Sequence, residues 1–175
     1  MNYSSKVLGF FLDLVYPPKC FKCGFSLIGL ESSSICSSCV KKISLIKPPF
    51  CETCGKPFYF QYDPPSEGGY RCGTCRTEKH YFDKARSLGK YEGVFRQALI
   101  SYKYKGRKEL LKDFVKICLQ PQNNYCFIPL KKHVDKSNGI DVILYVPLHK
   151  KKLRTRGFDQ AFLIAKEILY QININ

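Results

Sequence analysis

The 175-residue chain reads as α/β, with a small cysteine-rich β region toward its N-terminal end and a parallel-sheet domain after it. Three observations predict this. Eight of the ten cysteines fall in four C-x-x-C pairs, the last ending at Cys75. From Asp83 onward that rhythm stops and apolar side chains recur at helical spacing. Finally "IDVILYVP", Ile140 to Pro147, is a continuous apolar run of strand length, as expected of a strand covered on both faces. A hydrophobic content of 45% places the chain among globular proteins.

The paired cysteines are "CFKC" (Cys20, Cys23), "CSSC" (Cys36, Cys39), "CETC" (Cys51, Cys54) and "CGTC" (Cys72, Cys75). Disulfide scaffolds seldom repeat one two-residue spacing four times, whereas a metal needs two thiolates presented from one tight turn. The spacing therefore predicts two structural Cys₄ zinc sites, and with them a reducing, cytoplasmic compartment. Twelve residues separate the first two pairs and seventeen the last two, both within the reach of a zinc-ribbon hairpin. Sequential pairing follows, with an interleaved alternative left open because only eleven residues part Cys39 from Cys51. Gly24 and Gly55, each directly after a knuckle, suit the positive-φ position that turns backbone N–H groups toward sulfur. Four-sulfur sites have no open position, so no metal-centred chemistry is expected, and no catalytic residue is assigned. His80 is not needed as a ligand, and Cys118 and Cys126 lack partners at motif spacing and suit buried positions.

Residues 1–19 are expected to form an amphipathic helix ended by Pro17 and Pro18. Its apolar run, "VLGFFLDLVY", is too short to span a bilayer and has no small-residue cleavage site after it. Residues 20–80 form the double ribbon, with "YDPPSEGG" (Tyr62–Gly69) as an exposed turn. Within residues 81–175, Val94, Phe95, Ala98, Leu99 and Tyr102 predict one helix; Leu110, Leu111, Phe114, Val115 and Cys118 predict another. "QPQNN" and "DKSNG" mark loops, and Phe158, Phe162, Ala165, Leu169 and Ile172 predict a last helix from about Asp159 to Gln171.

The formal charge is +15. Eight thiolates and two Zn²⁺ together lower it to about +11, still strongly basic. Nineteen of the 29 Lys and Arg lie in residues 83–175, so the C-terminal half supplies most of any attraction to polyanions. Two segments concentrate it. "YKYKGRK" interleaves aromatic rings with cations, the combination used for single-stranded nucleic acid, with Tyr102, Lys103, Lys105, Arg107 and Lys108 as candidates. Phe21, Phe58, Tyr59, Phe60 and Tyr62 add apolar platforms. The alternative is that Tyr102 faces the core and the lysines are ordinary surface charges. The second segment, "HKKKLRTRG", is read as a loop at the carboxyl end of the strand, where open α/β sheets bind ligands and the next helix offers free N–H groups. Lys150, Lys151, Lys152, Arg154, Arg156 and Gly157 there suit a phosphate or pyrophosphate; a solvated charge run is the alternative.

Four C-x-x-C pairs, then "YEGVFRQALISYKYKGRKEL", then "DVILYVPLHKKKLRTRGFDQAFLIAKEI", resemble the ComF family, competence protein F and its relatives. The resemblance implies a double zinc ribbon ahead of a phosphoribosyltransferase-like domain, cytoplasmic and peripheral at the inner face of the membrane. It implies a role in natural transformation, with single-stranded DNA and a DNA-translocating helicase as partners. It also implies phosphoribosyl pyrophosphate at Lys150–Gly157, with Mg²⁺ in a full-length parent. Asp159 stands where the family has Asn, and no D-D-x-x-T-T-G run, which would hold ribose and 5′-phosphate, occurs among the 175 residues. The phosphoribosyltransferase-like domain is therefore expected to be incomplete and, as it stands, not a competent transferase. Two other functions are carried forward: a phosphoribosyltransferase in a longer parent, and a zinc-ribbon adaptor that recognises protein alone.

Overall fold

A computed structural model describes residues 16–28, 33–59, 70–120 and 142–171. Most of the predicted N-terminal helix, the "YDPPSEGG" turn, Phe60 and Cys126 lie outside them. The described helices are α1 (Ser37–Val40), α2 (Gly73–Thr77), α3 (Gly93–Tyr104), α4 (Leu110–Leu119), α5 (Lys150–Arg156) and α6 (Gln160–Gln171). The chain divides into two compact units. The first comprises Met1–Ile43, Glu92–Lys116 and Val142–Asn175; the second comprises Ser44–Tyr91 and Ile117–Asp141. The division falls between Ile43 and Ser44, so each ribbon lies in a unit of its own.

The first unit is built on aromatic packing between helices. Val94, Phe95, Ala98 and Tyr102 line one face of α3 and are buried, as are Leu110, Phe114 and Val115 of α4. Phe114 meets Phe95 and Tyr102 edge-on, with ring centroids 6.0 and 5.8 Å apart. Phe158, just ahead of α6, closes the cluster 5.5 Å from Tyr102. Between ribbon and helix runs a polar tie: the Asp113 carboxylate of α4 accepts from the Ser33 hydroxyl and the Ser34 N–H, both at 2.8 Å. Burial pushes the Asp113 carboxyl above its ordinary value, and the two bonds from Ser34 and Ser33 only partly offset that.

The second unit folds around the second ribbon. Cys51, Cys72 and Cys75 are buried with Phe58 and Cys54 packed on them, and Tyr70 meets Phe58 edge-on at 5.1 Å. Residues 44–46 pair with 88–90 through a Leu45–Gly89 bridge and two flanking bonds, Ile46 N–H to the Leu88 carbonyl and Lys90 N–H to the Ser44 carbonyl. Ala85 N–H donates to the Thr53 carbonyl at 2.7 Å. Arg86 donates to the Glu52 carbonyl and lies 4.9 Å over the Phe50 ring.

One expectation is not shown among the described residues and one is corrected. The parallel sheet is not seen: among the described residues the only β pairings are three isolated bridges. Residues 142–148 carry no regular secondary structure and join no ladder among the described residues, and Val142, Leu144 and Val146 are exposed. An apolar run becomes a sheet strand only when a neighbour supplies its backbone partners, and none of the described residues does so. The basic segment at 150–156 is a helix, not a loop. His149 caps it by accepting from Lys151 N–H, and Gly157, at φ 74, ends it in the left-handed conformation with its N–H on the Leu153 carbonyl.

Candidate metal centres and basic surface

Each ribbon starts from a knuckle with the same bond pattern. In the first, Cys20 N–H donates to the Phe25 carbonyl, Gly24 N–H to the Cys20 carbonyl and Leu27 N–H to the Pro18 carbonyl, around a Lys19–Ser26 bridge. In the second, Cys51 N–H donates to Lys56, Gly55 N–H to Cys51 and Phe58 N–H to Pro49, around a Phe50–Pro57 bridge. The second pair of each ribbon follows one device: Cys36 and Cys72 precede α1 and α2, which carry Cys39 and Cys75 one turn on. The Cys36 and Cys72 N–H groups also donate to Cys20 Sγ and Cys51 Sγ at 3.4 and 3.3 Å.

The sulfurs converge into two sets, Cys20, Cys23, Cys36, Cys39 and Cys51, Cys54, Cys72, Cys75, each with all four Sγ atoms within 4.8 Å of one another. Cys23 Sγ lies 3.6 Å from Cys36 Sγ, and Cys54 Sγ lies 3.7 Å from Cys72 Sγ. Four thiolates about 2.3 Å from a common ion stand about 3.8 Å apart in a tetrahedron, so both sets fit Zn²⁺. Burial raises the Cys20 thiol, but backbone N–H groups of Cys36, Cys23 and Lys22 outweigh it and bring the pKa down to about 6. Cys51 follows suit, burial being outweighed by the N–H groups of Cys54, Cys72 and Thr53, again at about 6. Burial pushes Cys39 and Cys75 up to about 12, and the other three sulfurs of each set add to the rise. Each set thus offers a thiolate ready at neutral pH and a last thiol that gives up its proton only to an arriving cation.

Residues 11–76 are a double zinc ribbon. They match the family described as the double zinc ribbon domain. No curated protein matches the chain, and no solved structure does. The two Cys₄ sets are sequential in both ribbons, which resolves the pairing left open by spacing. His80 belongs to neither set; its ring lies 5.2 Å from Phe82. Sequence reasoning missed that the ribbons are one module used twice. "PPKCFKCGFSL" (Pro17–Leu27) and "PPFCETCGKPF" (Pro48–Phe58) align as P-P-x-C-x-x-C-G, and their knuckle bonds coincide position by position. The repeated Pro-Pro before each first cysteine was the available signal.

The double zinc ribbon does not contain the basic candidates, which sit in the first unit on α3, α5 and the turns beside them. Tyr102 is corrected: it is fully buried, its hydroxyl donates to the Gln160 carbonyl at 3.2 Å, and burial, with the Asp159 charge second, raises its pKa to about 12. It faces the core and cannot stack a base. Lys103 is half-buried, while Lys105, Arg107 and Lys108 are exposed around the turn that follows α3. Lys150, Lys151, Lys152 and Arg154 are exposed on α5, and Arg156 at its last position is half-buried.

The two basic segments meet. Arg156 lies 4.9 Å over the Tyr104 ring with Nη2 donating to the Tyr104 hydroxyl at 3.3 Å, and Lys108 Nζ lies 4.9 Å over the Phe158 ring. Tyr104 was not among the sequence candidates. It stands two positions past Tyr102, off the buried face of α3, so helical register alone distinguishes the two tyrosines.

The helix start expected to offer free N–H groups is already filled. Asp159 Oδ1 accepts from Ala161 and Phe162 N–H at 3.0 and 3.2 Å, and Oδ2 accepts from Leu148 N–H at 2.9 Å. The Leu148 bond chiefly holds the carboxyl below its ordinary value; partial burial opposes that, and the Phe162 and Ala161 bonds add to it. A phosphate seeking the α6 N-terminus meets a carboxylate there.

Proposed function

We propose that this chain acts as a ComF-type competence factor: a zinc-stabilised module that binds single-stranded DNA during uptake and works with partner proteins, a DNA-translocating helicase among them. The resemblance of both its cysteine framework and its "VPLHKKKLRTRGFDQ" segment motivates the reading. The observation that carries it is the meeting of two basic segments, 103–108 and 150–156, on one aromatic-bearing surface of the first unit. Phosphate contacts supply sequence-independent affinity there, and the exposed Tyr104 ring supplies the preference for unpaired bases. Phosphoribosyl pyrophosphate with Mg²⁺ has less support at Lys150–Gly157, because the Asp159 carboxylate occupies the adjacent helix start.

The test is an anisotropy titration of the zinc-quantified chain with a labelled single-stranded oligonucleotide at several salt concentrations, with phosphoribosyl pyrophosphate as competitor. Binding that falls steeply with salt and ignores the competitor supports the reading. Absence of binding with two zinc ions per chain overturns it in favour of a protein-only adaptor.

A further inference from the structure

The aromatic side chain in the basic segment that faces solvent is Tyr104, and its setting is unusual for a surface tyrosine. It is 67% exposed although Arg156 stacks on it and bonds its hydroxyl. With Arg156 over the ring, most of the residue's surface is still open to solvent. Arg156 is itself held, because Nη1 donates to Gln160 Oε1 at 2.7 Å. Gln160 is only 5% exposed and accepts from the buried Tyr102 hydroxyl through its carbonyl. The guanidinium is thus tied to the buried Gln160 on one side and lies over the Tyr104 ring on the other.

We propose that Tyr104, backed by Arg156, is a base-stacking platform for single-stranded DNA, an inference that rests on the DNA-binding reading above. Stacking a nucleobase on the open face gives an Arg–Tyr–base column whose first two layers are assembled before the ligand arrives, which lowers the ordering cost of binding. Lys105, Arg107 and Lys108 follow Tyr104 in the chain, and Lys150, Lys151, Lys152 and Arg154 precede Arg156 on α5, so cations approach the platform from both segments. Backbone phosphates on either side of a stacked base therefore have partners. A duplex keeps its bases stacked on one another; an unpaired strand leaves each π-face available, which selects single-stranded ligand.

The chain contains no tryptophan, so Tyr104→Trp places a single fluorescent indole at the platform. Oligo(dT) is expected to quench its emission, while inorganic polyphosphate, which offers charge without bases, binds without quenching. Tyr104→Ala is expected to weaken oligo(dT) binding about tenfold with the salt slope unchanged, and Tyr104→Phe to retain nearly full affinity. Zinc content and circular dichroism report whether each variant is folded. Oligo(dT) binding to Tyr104→Trp without quenching, together with undiminished binding by Tyr104→Ala, overturns the platform and leaves the DNA reading intact. Failure of the unsubstituted chain to bind oligo(dT) overturns the DNA reading and the platform with it.

Discussion

Gly24 and Gly55 hold the same place in the repeat but not the same surroundings. Both have left-handed backbones, at φ 72 and 71. A Cβ at Gly24 meets nothing within 4 Å, whereas one at Gly55 comes within 2.7 Å of the Ala85 carbonyl oxygen, a backbone atom that cannot swing away. Gly24→Ala is expected to lower stability by about 1–2 kcal/mol from the left-handed conformation alone, and Gly55→Ala by roughly twice that or more. Paired thermal unfolding of the zinc-loaded variants checks the order. Asp159 makes a different prediction at the same scale. Asp159→Asn keeps a side-chain oxygen for the α6 cap but removes the negative charge beside the basic helix, so affinity for an oligonucleotide is expected to rise severalfold, most at low salt. Titration at two salt concentrations reads both parts of that expectation.

Among the elements, α4 and the first ribbon are linked through Asp113. Asp113→Ala strands the Ser33 hydroxyl and the Ser34 N–H and is expected to cost about 1–3 kcal/mol. Asp113→Asn keeps an acceptor and removes the buried charge. Because the folded carboxyl sits above its ordinary value, the wild type loses stability relative to Asp113→Asn as pH rises from about 4 through that raised value. Unfolding of both chains across that range is expected to show a gap that widens with pH. The elements also show which parts of the fold were legible in the sequence. The knuckles were, because C-x-x-C-G encodes a local turn whose bonds close within ten residues, as Cys20 to Phe25 and Leu27 to Pro18 do. α3 and α4 were, because their buried faces repeat at helical spacing. The strand expected at 140–147 is not shown: apolar composition promises burial, a ladder depends on a partner elsewhere, and residues 142–147 find none among the described residues. The helix at 150–156 was hidden by its charge; what makes it a helix is His149 at one end and Gly157 at the other.

For the molecule as a whole, charge and metal set the behaviour. With eight thiolates and two Zn²⁺ the net charge is about +11, and substituting Lys150, Lys151 and Lys152 together by Ala is expected to reduce the salt slope of single-strand binding by about 2. Zinc affinity is expected to fall with acidification, more steeply below about pH 6, where Cys20 and Cys51 must also release a proton to bind metal. Equilibrium dialysis against a zinc buffer at stepped pH follows that change of slope. No described helix is long and apolar enough to cross a membrane.

The duplicated knuckle has a kinetic corollary. The two sets share their coordination, yet Cys23 of the first is exposed where Cys54 of the second is only partly so. A chelator or oxidant displaces zinc by first reaching one sulfur, so accessibility of the least protected ligand governs how fast an ion exchanges even when the affinities are alike. The first site is therefore expected to release its ion faster than the second, so that a chelator first leaves the chain with one ribbon stripped and the other loaded.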